Sequence, residues 1–297
     1  MIDKRQITER SMQSLFFIIA SISIAVLGMI MVFLFMEGLP IFEMVSVPDF
    51  LFGKFWYPTS EPPDFGILAL IIASLAVTGV SALISIPLGV MTAIYLSEVA
   101  SFRVGEIVKP IVELLAALPS VVIGFFGMVL VAPFLQSVFD IPTGLNLFNA
   151  SLMLAFMSIP TICSISEDAI HSVPTALREA SLALGATQLE TIVKVVIPAS
   201  ISGISTAVIL GMSRAIGETM VVLMVAGGAA LIPISIFDPV RPMPASIAAE
   251  MAEAPFRGEH YYALFATGIV LFLFTLLFNL VADYIAHKYR QVGEATL

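Results

Sequence analysis

An all-α, polytopic membrane fold with six transmembrane helices is predicted by three observations. Mean hydropathy is +1.04. Hydrophobic residues make up 59% of the chain and charged ones only 12%, about half the charge content usual for soluble proteins. Apolar runs at 15–36, 67–96, 111–135, 150–166, 203–231 and 262–286 are each long enough to cross about 30 Å of hydrocarbon. Each run must be helical, because backbone polar groups in lipid can only bond to one another. The chain divides into an opening section 1–65 (amino-terminal tail, first helix, external loop), a core 66–290 with five helices and a cytoplasmic loop 172–200, and a tail 291–297.

Basic residues orient this array. One set of loops and termini carries Lys4, Arg5, Arg10, Arg103, Lys109, Arg178, Lys194, Lys288 and Arg290, whereas the opposite set carries Lys54, Arg241 and Arg257. Lys and Arg concentrate on the cytoplasmic side, so both termini are expected there, in a multi-pass protein of the cytoplasmic (inner) membrane. The net charge of -9 says little about orientation, since acids barely enter that rule.

The first run has a basic flank but is too long for a cleaved leader, and Glu37-Gly38-Leu39-Pro40 offers no small-x-small cleavage site, so it reads as a retained helix. The loop after it, 37–66, contains Trp56-Tyr57-Pro58, for which anchoring at the membrane interface is the ordinary expectation. In the second run Ser74, Thr78, Ser81, Ser85 and Thr92 recur at steps of three and four and share a face. Close helix packing with Gly79, Ala82 and Gly89 is the ordinary reading, and a polar pathway wall is the alternative. Pro87 is expected to kink this run.

Pro119, Ser120 and Gly124 interrupt the third run, where a broken helix lining a cavity or acting as a gate stands against a tolerated proline kink. The fourth run holds Cys163, the chain's single cysteine, so no internal disulfide can form. Glu167, Asp168, Asn279 and Asp283 lie near cytoplasmic ends and receive no transport role.

The loop that follows is too polar to span, yet it has strong helix signals. Pro174 suits a first turn, Gly185 a left-handed cap, and Thr187 with Glu190 a capping box opening a second helix that Pro198 stops. Arg178, Glu179, Glu190 and Lys194 are expected on the exposed surface of this lever, which is built to touch a cytosolic partner.

The fifth run holds Arg214 and Glu218. A charge at the bilayer centre costs at least ~3 kcal/mol, so an intramembrane ionisable residue is a functional-site hypothesis. Spacing of four predicts an intrahelical pair that offsets part of this cost. Guanidinium makes forked, charge-assisted bonds to phosphate oxygens. Arg214 is therefore expected to engage an anionic substrate while Glu218 tunes its release, against the alternative of a pair that merely fixes packing. External loop 232–261 carries five prolines and Glu250, Glu253 and Glu259, a candidate docking surface.

Glu179-Ala180-Ser181, Gly185, Val195 and Ile197-Pro198 resemble, in residue type and spacing, the EAA loop of ABC importer permeases. Pro87-Leu88-Gly89, Ala93 to Glu98, Glu113 to Val122 and Arg214-Ala215-Ile216-Gly217-Glu218-Thr219 resemble the phosphate-transport permeases, with Trp56-x-Pro58 closer to their C-type subunit than to the A-type. The resemblance implies a type I importer permease architecture with coupling helices, in which Glu179, Ala180, Gly185 and Pro198 dock an ATPase. Arg214, Glu218 and Thr219 are expected on the substrate pathway, and Pro119, Ser120, Ser81 and Ser85 at a gate or pathway wall. The partners implied are a homologous second permease, two copies of an ATPase and an extracytoplasmic phosphate-binding protein, besides membrane lipid.

No Gly-x4-Gly-Lys-Ser/Thr, His-Glu-x-x-His or Gly-x-Ser-x-Gly occurs, and the three histidines, 171, 260 and 287, lie at or outside membrane edges. No catalytic site, metal, cofactor or nucleic-acid partner is expected; ATP would be bound by the partner. Rival readings keep the fold and change the ion to sulfate, molybdate or phosphonate, or make the chain an ATP-independent secondary anion carrier.

Overall fold

The computed structural model describes residues 4–294, with the side chains of 12–281, 283 and 284; the tail 295–297 and the side chains of Lys4, Arg5, Arg10, His287, Lys288 and Arg290 lie outside the described residues. Six helical spans long and apolar enough to cross a membrane occur among the described residues: Met12–Glu43, Leu68–Val99, Ser120–Phe139, Leu147–His171, Gln188–Ile216 and Glu259–Val281. The number agrees with the apolar runs, while two boundaries move far enough to matter.

Span 1 belongs to helix α1 (Lys4–Gly38), which lies against the last helix of the chain, α13 (Glu259–Glu294). Phe33 meets Phe265 edge to face at 5.6 Å. The helix ends in a tight turn at Leu39–Glu43, then a short helix α2 (Val47–Phe52) capped by Ser46 and a two-stranded hairpin, β1 (Trp56–Tyr57) with β2 (Asp64–Phe65), in register Trp56 to Phe65. These pieces form a lid with its own core of Ile41, Phe50, Trp56, Phe65, Ile67, Met243 and Leu264. The hydrophobic drive that would anchor Trp56 in the interface is satisfied inside this lid: Trp56 is 2% exposed, correcting the expectation of an interfacial anchor.

Span 2 is helix α3 (Leu68–Ile94) with a π-helical turn, Tyr95–Val99, at its lower end. Its hydroxyl face is turned inward, with Ser74, Thr78, Ser81 and Ser85 all buried. A Cβ on Gly89 would stand 2.8 Å from Ile162 of span 4, whereas one on Gly79 would meet open space. Close packing thus runs through Gly89, and Gly79 takes no part in it.

The third apolar run is two helices. Helix α4 (Phe102–Ala116) ends in the Ala117 cap, Pro119 takes an extended backbone, and a new helix starts at Ser120 as α5 (Ser120–Phe126), continuing through a π-helical turn into α6 (Ala132–Phe139). Proline disfavours helix at the residue before it, and Arg103, Glu106, Lys109 and Glu113 give α4 a charged face. Span 3 therefore begins at Ser120 rather than 111.

Span 4, α7 (Leu147–His171), is the central post of the fold; Gly89, Gly127, Gly203 and Gly211 of three other spans rest on its side chains. After it, α8 (Thr175–Ala183) and α9 (Gln188–Thr191) form a hairpin. Pro174 is the cap before α8 rather than its first residue. A π-helical turn, Ile192–Val196, then joins α9 to α10 (Ile197–Ile216). Pro198 does not stop the helix as expected, because it falls in the first turn after the wider π turn, where its missing N–H leaves no bond broken.

Span 5 ends at Gly217, and a separate short helix α11 (Met220–Val225) follows. Gly227 and Gly228, at φ +92° and +71°, turn the chain toward α12 (Met243–Glu250). The run 203–231 is therefore not one helix.

Candidate functional site

Three places gather the polar side chains of the fold: the hairpin, the helix break beyond Arg214, and the opposite face around Glu250.

The hairpin is built by local chemistry. Gly185 sits at φ +88° with nothing within 4 Å of an added Cβ, so glycine is required by the backbone and not by crowding. Thr187 accepts from the Glu190 amide at 3.3 Å and Glu190 accepts from the Thr187 amide at 3.0 Å, completing the capping box. Ser181 and Thr191 hydroxyls meet at 2.9 Å and tie the two arms together. Facing away are Leu177, Glu179, Ala180, Leu182, Gly185 and Leu189, all exposed, and Leu184 at 90%. Leu177, Ala180, Leu184, Gly185, Glu190 and Lys194 rim a depression of about 560 Å³. Arg178 departs from expectation: it is half-buried, its Nη2 lies 2.8 Å from Glu98 Oε1 and it donates to the Ile170 carbonyl at 2.9 Å. Glu98 belongs to span 2, so local spacing held no signal for this pair.

Beside the hairpin, Lys109 of α4 lies 3.2 Å from Glu167 and 3.9 Å from Asp168 of span 4. The bond to Glu167 holds the Lys109 ammonium above its usual range. Lys109 beside Glu167 and Gly127 beside Met153 set an antiparallel register, so the break at 117–119 falls beside the middle of span 4. Gly203 beside Ala169 and Gly211 beside Ile162 place the break at 217–219 close to the same depth.

At that second break the predicted pair is not made. Gly217 ends α10, so Glu218 no longer follows Arg214 around one helix. Its carboxylate turns instead to the amides of Met220 and Val221, at 3.2 and 3.4 Å, capping α11. Among the described residues no ion pair joins Arg214 to Glu218. Arg214 is exposed in the last turn of α10, where a cation complements the helix dipole. Thr219 is half-buried and donates to the Gly217 carbonyl at 3.4 Å. Ser213, next to Arg214, bonds to Asn279 of span 6, a link that sequence reasoning gave no role. Pro119 and Ser120 stand at the other break; Ser81 and Ser85 are fully buried between helices.

On the opposite face Glu250 gathers donors from the loops after spans 1 and 5. It accepts from Trp56 Nε1 at 2.9 Å and Ser246 Oγ at 3.1 Å, pairs with Arg241, and meets His260 Nε2 at 2.8 Å. Trp56, Tyr57, Gly228, Arg241, Glu253 and His260 border an adjoining cavity of about 480 Å³. Nearby, Asp238 accepts from the amides of Ser235 and Ile234, both at 2.8 Å, and these bonds hold its carboxyl below the usual range.

Comparison with known proteins fits this arrangement. The chain is 40% identical to the probable ABC transporter permease protein YqgH of Bacillus subtilis, covering 91% of this chain and 88% of that one. It is 35% identical to the phosphate transport system permease protein PstC of Mesorhizobium japonicum, over 80% and 77% of the two chains. Among solved structures, a bacterial alginate ABC transporter in complex with its pentasaccharide-bound periplasmic protein shares the fold over 97% of both chains at a TM-score of 0.68 and 17% identity. The methionine ABC transporter MetNI matches 75% of this chain at 0.58 and 20%. Residues 85–291, which contain the hairpin and both helix breaks, match the binding-protein-dependent transport system inner membrane component, and the chain belongs to that family of multi-pass membrane permeases.

Proposed function

We propose that this chain is the permease subunit of an ATP-driven importer of inorganic phosphate, contributing half of the translocation pathway. The observation that carries this reading is the hairpin 175–191, braced inward by Arg178 and Ser181 and presenting Leu177, Glu179, Leu182 and Leu184 outward. Bare leucines on a polar, well-capped hairpin suit a protein partner, and a pump without its own nucleotide site needs an ATPase to dock there. Relatives named as phosphate transport permeases over most of their length support phosphate as the ion. Both termini and the hairpin face the cytoplasm, the side favoured by Arg103, Lys109, Arg178 and Lys194. The complex then comprises a second, homologous permease, two ATPase copies and an external phosphate-binding protein.

Arg214 is assigned the passing phosphate, because an exposed guanidinium with no carboxylate paired to it among the described residues retains its full charge and its forked donors. Glu218, bound to amides, fixes the break that leaves Arg214 at a helix end. The hairpin passes ATPase movement to the spans, and the two helix breaks beside span 4 are where the pathway opens and closes.

The test is uptake of labelled phosphate and phosphate-stimulated ATP hydrolysis in proteoliposomes containing the chain and its partners. Glu179→Arg is expected to abolish stimulation by loosening the ATPase, and Arg214→Ala to stop uptake with the complex intact. Uptake without any ATPase would overturn the importer reading; preference for sulfate or molybdate over phosphate would overturn the ion.

A further inference from the structure

We propose that Glu98 is a positioning residue through which both arms of the hairpin drive span 2; this rests on the importer reading above. Each arm holds Glu98 by a different group. From α8, Arg178 Nη2 lies 2.8 Å from the Glu98 carboxylate, with the two side chains only 22% and 10% exposed. From α9, Gln188 Nε2 donates to the Glu98 backbone carbonyl at 3.3 Å. The same Arg178 nitrogen donates to Ile170 near the lower end of span 4, so one guanidinium ties the hairpin to two spans. The hairpin is joined by the chain to spans 4 and 5; span 2 it reaches through space, and Glu98 is where it does so.

The receiving element is suited to carry a displacement. Glu98 sits in the π-helical turn Tyr95–Val99, closed by the Ala100 amide on the Tyr95 carbonyl at 2.8 Å, and this turn is continuous with α3. At the far end of α3, Ser74 Oγ accepts from the Met243 amide at 2.8 Å, which fastens span 2 to the external loop. From Glu98 to Ser74 the helix runs roughly 36 Å at about 1.5 Å per residue, with Pro87 the point at which it can bend. A packed helix fixed at both ends transmits a push without needing a soft intermediate. Movement of the hairpin under an ATPase is thereby delivered along span 2 to the external lid, in parallel with spans 4 and 5.

The reconstituted importer tests this by phosphate taken up per ATP hydrolysed. Glu98→Gln is expected to lower that ratio between about twofold and thirtyfold, the range a single coupling contact spans, while ATP hydrolysis and the amount of bound ATPase stay at wild-type level. Glu98→Asp, which keeps the carboxylate, retains more of the ratio than Glu98→Gln. Gln188→Ala removes only the second contact at an exposed position and serves if the charge variants fail to fold; it lowers the ratio in the same direction. An unchanged ratio overturns the proposal, as does parallel loss of uptake, hydrolysis and bound ATPase, which would mean an assembly role. If the wild type shows no ATP-driven uptake, the importer reading fails by itself. The contact is then judged by spin labels at the exposed positions Leu182 and Met91, whose distance distribution is narrow in wild type and broadens in Glu98→Gln; no broadening overturns the strut.

Discussion

Trp56 and Glu250 lie 194 positions apart in sequence and share a bond from the indole Nε1 to the carboxylate at 2.9 Å. This bond closes the lid formed by the first external loop onto the second. Glu250 also neutralises Arg241 and accepts from Ser246, so removing it leaves a largely buried guanidinium without its counter-ion. Glu250→Ala is expected to destabilise the chain by on the order of 3 kcal/mol, as loss of one partner of a buried pair does. Trp56 is the chain's one tryptophan, and its fluorescence should shift to longer wavelength as the lid loosens. Trp56→Phe forfeits that hydrogen bond, about 1 kcal/mol, and also empties part of the indole's place in the lid core, which adds to the loss; a Glu250→Ala variant as stable as wild type would refute the central place given to Glu250.

Ile162 is held between two glycines on different spans. A Cβ at Gly89 would meet it at 2.8 Å and one at Gly211 at 2.5 Å. Gly89→Ala therefore forces span 2 away from span 4 and should cost about 1–3 kcal/mol, the usual range for overpacking. Gly79→Ala, facing open space on the same helix, should be neutral or slightly stabilising. Thermal denaturation in detergent separates the two, and Ile162→Val should recover none of the Gly89→Ala loss, because valine keeps the Cβ and Cγ2 that the added Cβ would meet.

At the hairpin turn the demand is on the backbone alone. Gly185→Ala meets no neighbour yet must hold a left-handed residue, costing about 1–2 kcal/mol. Gly185→Asn should be better tolerated, since asparagine visits that region more readily. Retention of the ATPase through purification should fall in the order glycine, asparagine, alanine, and an alanine variant that binds as wild type would remove the geometric argument.

The external loop 234–238 carries an acid-sensitive pin. Asp238 is held below its ordinary 3.8 by two amide bonds, so its stabilisation is fully present above the unfolded value and is lost as pH falls through the folded one. Hydrogen exchange at the Ile234 and Ser235 amides should stay slow at neutral pH and accelerate, relative to intrinsic rates, below 3.8. Asp238→Ala should show fast exchange at every pH.

What was readable in the chain was what local chemistry decides. Apolar length marked the spans, and Gly185, Thr187 and Glu190 marked the hairpin, because a left-handed turn and a capping box are formed by neighbours in sequence. Pro119 marked the break, but averaged hydropathy hid where span 3 begins: Leu114 and Leu115 before the break are as apolar as Val121 and Val122 after it, although only the latter lie in span 3. The pairs of Glu98 with Arg178 and Trp56 with Glu250 could not be read, since their signal is the fold itself.

Arg214 and Glu218 show the opposite failure, a local pattern defeated by a local competitor. Spacing of four predicts a pair only while the helix continues, and Gly217 ends it, after which the free amides of Met220 and Val221 lie nearer to the carboxylate than the guanidinium does. An amide cap contributes about 1 kcal/mol, so Glu218→Ala should destabilise by that amount while Glu218→Gln, which still accepts, should lose less. Without a shared bond the two residues couple only through space, and the stability losses of Arg214→Ala and Glu218→Ala should come close to additive, short of the roughly 0.5–3 kcal/mol seen between residues in contact. A double-mutant cycle on the full chain in detergent measures this. Coupling within that range would restore the intrahelical pair, and with it the view that Arg214 is neutralised at rest and not available to an anion.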